Sequence, residues 1–321
     1  GALSAAALMG RAGYTVLGPL AGTAPITLAA TTLNLADAVN LFQDTTLKGV
    51  TITLAEVDSV GPAGTRGLTL SGTGTTTIGG FIGASPLKYL VSDNGGGTTI
   101  GANVSTTGVQ TYSDAITLSG TAATRTLTTV NAAITLAAVT GAGNNLTVAS
   151  GTANRTLGGA ISGVLTLTTT GVGTTTITGG TIATTSNQVY TSGTVVLGAN
   201  TTLTASTGAS TVTFNATDVT GNNYDLTINN GSTAVALDAG FSNIKNLTIS
   251  GPVTITAAAT VTVNEKQTYT GVVTAAGAAT LVSPDITLGA VTATAGTLTL
   301  NSSGTVTLNG AVTATGQTVA T

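Results

Sequence analysis

The chain has 321 residues, room for two ordinary domains or one long repetitive one, yet only 6% are charged where about a quarter is usual. A net charge of -3 with eight scattered Lys and Arg excludes the clustered cations that phosphate neutralisation needs, so nucleic acid is not an expected partner. Without Cys or His there is no disulfide scaffold, no thiolate metal site and no ordinary general base, and 41% hydrophobic residues are too many for a disordered chain.

The opening GALSAAALMGRAGYTVLGPL is apolar, but its one early cation, Arg11, follows the apolar run, and the run is too short to cross a bilayer. It therefore reads as neither a signal peptide nor a membrane span, and Gly1 is expected to start a chain whose export signal has been removed. Leu8, Met9, Tyr14, Val16 and Leu17 make residues 1–30 a candidate cap or assembly arm ahead of a repetitive part, 31–321. Cis capping and packing in trans on a neighbour are equally open. Residues 31–44, TTLNLADAVNLFQD, fit a short helix or a strand.

Beyond residue 40 helical periodicity is essentially missing. LTLSGTGTTTIGG at 68–80, VLTLTTTG at 164–171, STVTFNA at 210–216, YDLTINN at 224–230 and TLTLNSSGTVTLNG at 297–310 alternate apolar residues with Thr. Period two sets one face inward and one outward, and β-branched residues suit a pleated surface. The stretch FIGASPLKYLVSDNGGG at 81–97 is the least repetitive. Phe81, Lys88 and Tyr89 make it a candidate display loop, although a plain corner excursion is the preferred reading. Its Asp93, Asn94 and glycines superficially resemble a Ca²⁺ turn but lack the repeated ligand array.

Gln110 and Tyr112 in VQTYSDAITLSG return as Gln188 and Tyr190, and again as Gln267 and Tyr269. With spacings near 78 residues they mark a module, and each Tyr is expected to fill the same wide corner with its hydroxyl bonded to a loop. Asp37-Ala38-Val39 stands to Asp114-Ala115-Ile116 as an earlier copy, and Arg125 to Arg155 as a finer repeat. Such units cannot bury an apolar face alone, and stacking them makes a continuous core. Asn-Gly occurs at Asn230-Gly231 and Asn309-Gly310, too seldom for a hairpin sandwich. The expected fold is all-β: a parallel β-solenoid of short Thr, Val, Leu and Gly-rich strands, with a less regular N-terminal segment.

STTGVQTYSDAITL at 105–118, with LGANTTLT at 197–204, TVTFNA at 211–216 and GTVTLNGAVTATGQTV at 304–319, resembles the repeats of filamentous-haemagglutinin-type and autotransporter-like bacterial surface proteins. The likeness covers most of 100–321. It implies export to the cell surface and a right-handed β-helix serving as stalk, adhesin or fibre.

The acids Glu56 with Asp58, and Asp218 with Asp225, lie densest in the sequence but have no nearby base. No catalysis, metal or cofactor is expected. The expected partners are copies of the chain itself, stacked head to tail in an extracellular filament, fibre or coat, and cell-surface components. The alternative is an adhesin stalk that does not polymerise. Ice binding would need Thr at the same place in every coil, and the uneven repeat spacings argue against it.

Overall fold

The computed structural model describes residues 24–93, 95–120, 123–238, 240–256, 259–293 and 296–314, together with the backbone of 8–11, 14–17 and 319–320. Every regular element among the described residues is a strand. The first ones are β1 (Leu8–Arg11), β2 (Tyr14–Leu17), β3 (Ile26–Ala29), β4 (Thr32–Leu35) and β5 (Ala38–Leu41). Residues 31–44 thus hold strands, not a helix. Leu33, Leu35, Val39 and Leu41 are buried with polar or small residues between them, an alternation a helix would scatter around its axis.

The chain divides into two compact units, 1–159 and 160–321. In the first, parallel strands form three stacks, and the chain visits each in turn. Stack A runs from β3 through Thr45–Gly49, Leu68–Gly72, Leu90–Ser92, Gln110–Tyr112 and Ile134–Leu136 to Arg155–Leu157. Stack B begins at β4 and continues through Thr51–Leu54, Thr75–Ile78, Gly97–Ile100 and Ala115–Leu118 to Val139–Thr140. Stack C starts with β2 and β5, then takes Val57–Ser59, Ile82–Leu87, Val104–Thr106, Thr124–Thr129 and Asn145–Ala149. One turn through A, B and C is a coil of the expected solenoid.

The second unit repeats this plan with stacks D, E and F. Stack D includes Thr181–Thr184, Thr201–Ala205, Leu226–Asn229, Asp285–Leu288 and Val306–Leu308. Stack E includes Leu167–Thr170, Val235–Leu237, Val253–Ile255, Val273–Ala275, Val291–Ala293 and Val312–Ala314. Stack F includes Thr175–Ile177, Ala279–Val282 and Leu298–Asn301. Four long strands, Gln188–Leu197, Val212–Thr220, Gly240–Ser250 and Thr260–Tyr269, bend across a corner and serve two stacks each.

Corner lengths vary, and most ladders stay in register despite it, with local shifts between Ile82 and Leu87, Ile161 and Val164, and Phe241 and Asn246. Leu54, Ile78, Ile100 and Leu118 align in stack B, so aliphatic side chains of successive coils sit on one another at the strand spacing of about 4.8 Å. The outward positions align equally well. In stack D, Thr181, Thr202, Thr227, Thr248, Thr268, Thr287 and Thr307 form one row. Uneven repeat spacing therefore does not scatter the threonines, as the sequence reading had supposed. Comparable rows run through Thr254, Thr274, Thr292 and Thr313 in stack E and Thr53, Thr77, Thr99, Thr117 and Thr140 in stack B. Because they occupy several faces, they are the uncharged outward filling of a β-surface and single out no one binding plane.

Candidate assembly surface

The recurrent Gln-x-Tyr proves to be an internal clamp. Tyr112, Tyr190 and Tyr269 are buried, and each hydroxyl donates to the Oε1 of the Gln two residues earlier, at 3.0, 2.8 and 2.8 Å. The amide of each Gln donates in turn to two carbonyls: Val104 and Thr128 from Gln110, Ile182 and Thr204 from Gln188, Val261 and Val282 from Gln267. One carbonyl lies six residues earlier, in the stack the chain has just left, and the other in the coil that follows, so one side chain ties two coils together. The phenol O–H, the amide N–H groups and the Gln oxygen all have partners, which is what lets so polar a pair sit in an apolar core. Burial also pushes the three phenols far above their usual titration range.

Two expectations about these residues are corrected here. The hydroxyls bond to the neighbouring Gln, not to a loop. Nor do the tyrosines share a corner: Tyr190 stands in stack E, level with Phe214, while Tyr269 stands in stack D, level with Leu288. A spacing of 79 residues is not a whole number of coils. The shorter repeats fail likewise, since Val39 belongs to stack C and Ile116 to stack B, and Arg125 lies in stack C while Arg155 lies in stack A. Around Tyr190 the core is aromatic, with Phe214 stacked at 5.4 Å and Phe241 edge-on to Phe214 at 5.5 Å.

Corners carry a second kind of clamp that the sequence reading missed. Asp44, Asp58, Asn103 and Asn131 accept the backbone N–H of Gly67, Ser85, Thr126 and Thr152, each roughly one coil on, at 2.8 to 3.0 Å. In the second unit Asn187, Asn200 and Asp285 do the same for Thr211, Asp225 and Thr305. The available signal was an Asn or Asp at a turn, one coil ahead of a strand. Of the acids singled out for density, Asp58 is used in this way, Asp225 accepts from Asn246 at 2.8 Å and Asp218 from Ser242 at 3.4 Å. Among the described residues no group of three or more His, Cys, Asp or Glu is placed to hold a metal ion.

The segment proposed for display runs through the coil. Ile82, Leu87 and Leu90 are buried, while Phe81 and Lys88 are exposed to solvent. Lys88 pairs with Asp44 at 3.4 Å and lies over the ring of Tyr89 at 5.7 Å. Tyr89 itself covers Gly67, where a Cβ would fall 2.2 Å from the ring. Asn94 is outside the described residues. The glycines beside it are held by buried Asp114, whose carboxylate accepts from Gly95 N at 3.0 Å, Gly96 N at 3.3 Å and the hydroxyls of Ser92 and Thr98.

The two terminal coils differ. In the first, Ile26, Leu28, Leu33 and Leu35 are buried. Strand β2 lies parallel on β5, pairing Tyr14 with Ala38 and Leu17 with Leu41, and β1 runs antiparallel on β2, pairing Leu8 with Leu17 and Arg11 with Tyr14. Leu8, Met9, Tyr14, Val16 and Leu17 are thus on these two strands by backbone, and their side chains lie outside the described residues. In the last coil the inward-pattern residues Leu308 and Val312 are 44% and 43% exposed. Strands Val306–Leu308 and Val312–Ala314 pair on one side only among the described residues, leaving backbone groups and apolar side chains facing outward together. The chain matches no family model, and neither a curated protein nor a solved structure matches it.

Proposed function

We propose that the protein is a structural subunit of an extracellular filament, fibre or coat, built by copies stacking end to end. The observation that carries this reading is the in-register stacking of coils, in which the strands of one coil pair with those of the next and side chains such as Leu288 and Val291 are buried between them, a contact that a coil of a second copy can also make. A coil of a second copy is the complementary surface, because its strands satisfy the edge and its aliphatic side chains cover the core in one step. A head-to-tail contact of this kind does not close on itself and so propagates. The low charge of the chain, 6%, offers little repulsion against such stacking. The resemblance of 105–118 and its repeats to filamentous-haemagglutinin-type proteins supports the surface location.

Negative-stain electron microscopy of the purified chain, beside the double variant Leu308→Asp with Val312→Asp, tests the reading. Filaments from the parent and their loss in a variant that still melts cooperatively are the expected result. Particles one molecule long from the parent at every concentration overturn it and favour a non-polymerising adhesin stalk.

A further inference from the structure

We infer that the second unit holds a buried site for one water molecule at the corner between stacks E and F, and that this water does there what a carboxylate does at the corner following Ser92 in the first unit. In the first unit Ser92 ends a strand of stack A, and Thr98, six residues on, points inward from stack B. The next coil lays Tyr112 on Ser92 and Ile116 on Thr98. Between them it places buried Asp114, whose carboxylate accepts from both hydroxyls, at 3.0 and 3.4 Å. The second unit has the same arrangement. Thr169 lies near the end of a strand of stack E, Thr175 follows six residues on in stack F, and the next coil lays Tyr190 on Thr169 and Val195 on Thr175. Ser192 stands two residues after Tyr190, as Asp114 does after Tyr112.

Ser192 carries its oxygen one bond closer to the backbone than Asp114 does. Thr169 and Thr175 are 0% exposed and Ser192 is 6% exposed, and none of the three hydroxyls has a hydrogen-bond partner among the described residues. Buried polar groups are nearly always paired, and three neutral hydroxyls brought to one corner call for a small neutral guest that both donates and accepts. Water meets that need, since a buried water typically makes about three hydrogen bonds. The third copy of the module gives the contrast. Gly271 follows Tyr269 by two residues, and the side chains below this corner are Ile249, under Tyr269, and Val253, under Val273, both buried and apolar. A Cβ on Gly271 would strike the backbone of Gly251, so that corner has neither polar groups to satisfy nor room for a guest. Hydroxyls below the corner thus occur where the next coil offers Asp or Ser, and aliphatic side chains where it offers Gly.

The site lies inside one copy and does not depend on assembly. High-resolution crystallography of the full chain tests it. A density peak about 2.5–3.0 Å from the oxygens of Thr169, Thr175 and Ser192 is expected, with none at the Gly271 corner. Hydroxyls turned to backbone carbonyls with no peak between them overturn the site. A soak in rubidium bromide separates the possible guests, because an anomalous signal on the peak would make it an ion and overturn the water. Ser192→Asp is expected to displace the water and to accept from Thr169 and Thr175 as Asp114 does from Ser92 and Thr98. Thr175→Val removes one partner without adding a charge, so it serves where the first variant does not fold; loss of the peak is expected, and a peak of undiminished strength overturns the site. In solution, oxygen-17 relaxation dispersion should count one long-lived water fewer in either variant than in the parent, and an equal count overturns the proposal.

Discussion

Leu288 and Leu308 are neighbours in one stack, in register with each other, yet the first is 0% exposed and the second 44%; Val291 and Val312 differ in the same way, 1% against 43%. Side chain, strand and orientation are the same in each pair. What differs is a coil on the far side. In this fold the alternating pattern fixes which side chains point inward, and the next coil supplies the burial, so similar side chains in successive coils differ in energetics with the cover they receive.

Alkali should expose that difference most. A buried phenol raised above its ordinary value keeps its proton in the folded chain while the unfolded chain, with a value near 10, gives it up. The stability contributed by Tyr112, Tyr190 and Tyr269 is therefore fully present below about pH 10 and is lost as the pH climbs beyond it, by ~1.4 kcal/mol per phenol per pH unit. Urea unfolding between neutral pH and pH 11 measures this, and a flat profile would contradict the burial of the three rings.

Tyr190→Ala removes a ring stacked on Phe214 and is expected to cost about 3–5 kcal/mol. Leu308→Ala in the last coil should cost under ~1 kcal/mol in the monomer, because little of that side chain is covered. Equal costs in urea titrations would dissolve the distinction between interior and end. Gln188→Leu keeps most of the volume but strands the Tyr190 hydroxyl and the carbonyls of Ile182 and Thr204, at about 1–3 kcal/mol. Gln267→Leu should match it, since the clamp geometry is the same. Lys88→Ala, which breaks a solvent-exposed pair with Asp44, is expected to shift stability by only a few tenths of a kcal/mol. A larger loss in a thermal melt would mean that the Tyr89 corner does more than pack against Gly67.

Period-two alternation made the strands legible, and the scarcity of Asn-Gly turns pointed to stacking over hairpins. The competing helix at 31–44 arose because LADAV spaces its apolar residues ambiguously over so short a run, a tie that pairing of β5 with Val57–Ser59 breaks. The Gln-x-Tyr repeat was visible, but its place was not. Corners of variable length are taken up outside the ladders, so residue spacing alone could not tell which stack a given Tyr joins. Nor could it show Gln267 bonding to Val282, because that partner is identified only once the next coil is laid down. The bare edge at Leu308 had no sequence signature, for the reason that its pattern is the same as that of buried Leu288.

The displacement of Gln188-x-Tyr190 and Gln267-x-Tyr269 onto different stacks works as a vernier: two scales of slightly incommensurate period, the duplicated module and the coil, slide past each other. Had the module spanned a whole number of coils, successive duplications would have lodged every bulky ring under the same wall, accumulating volume on one side like wedges driven into one edge of a pile of slates. Incommensurate copying shares the load among the walls. A gene lengthened by simple duplication can in this way add coils to the unit without building in a lean.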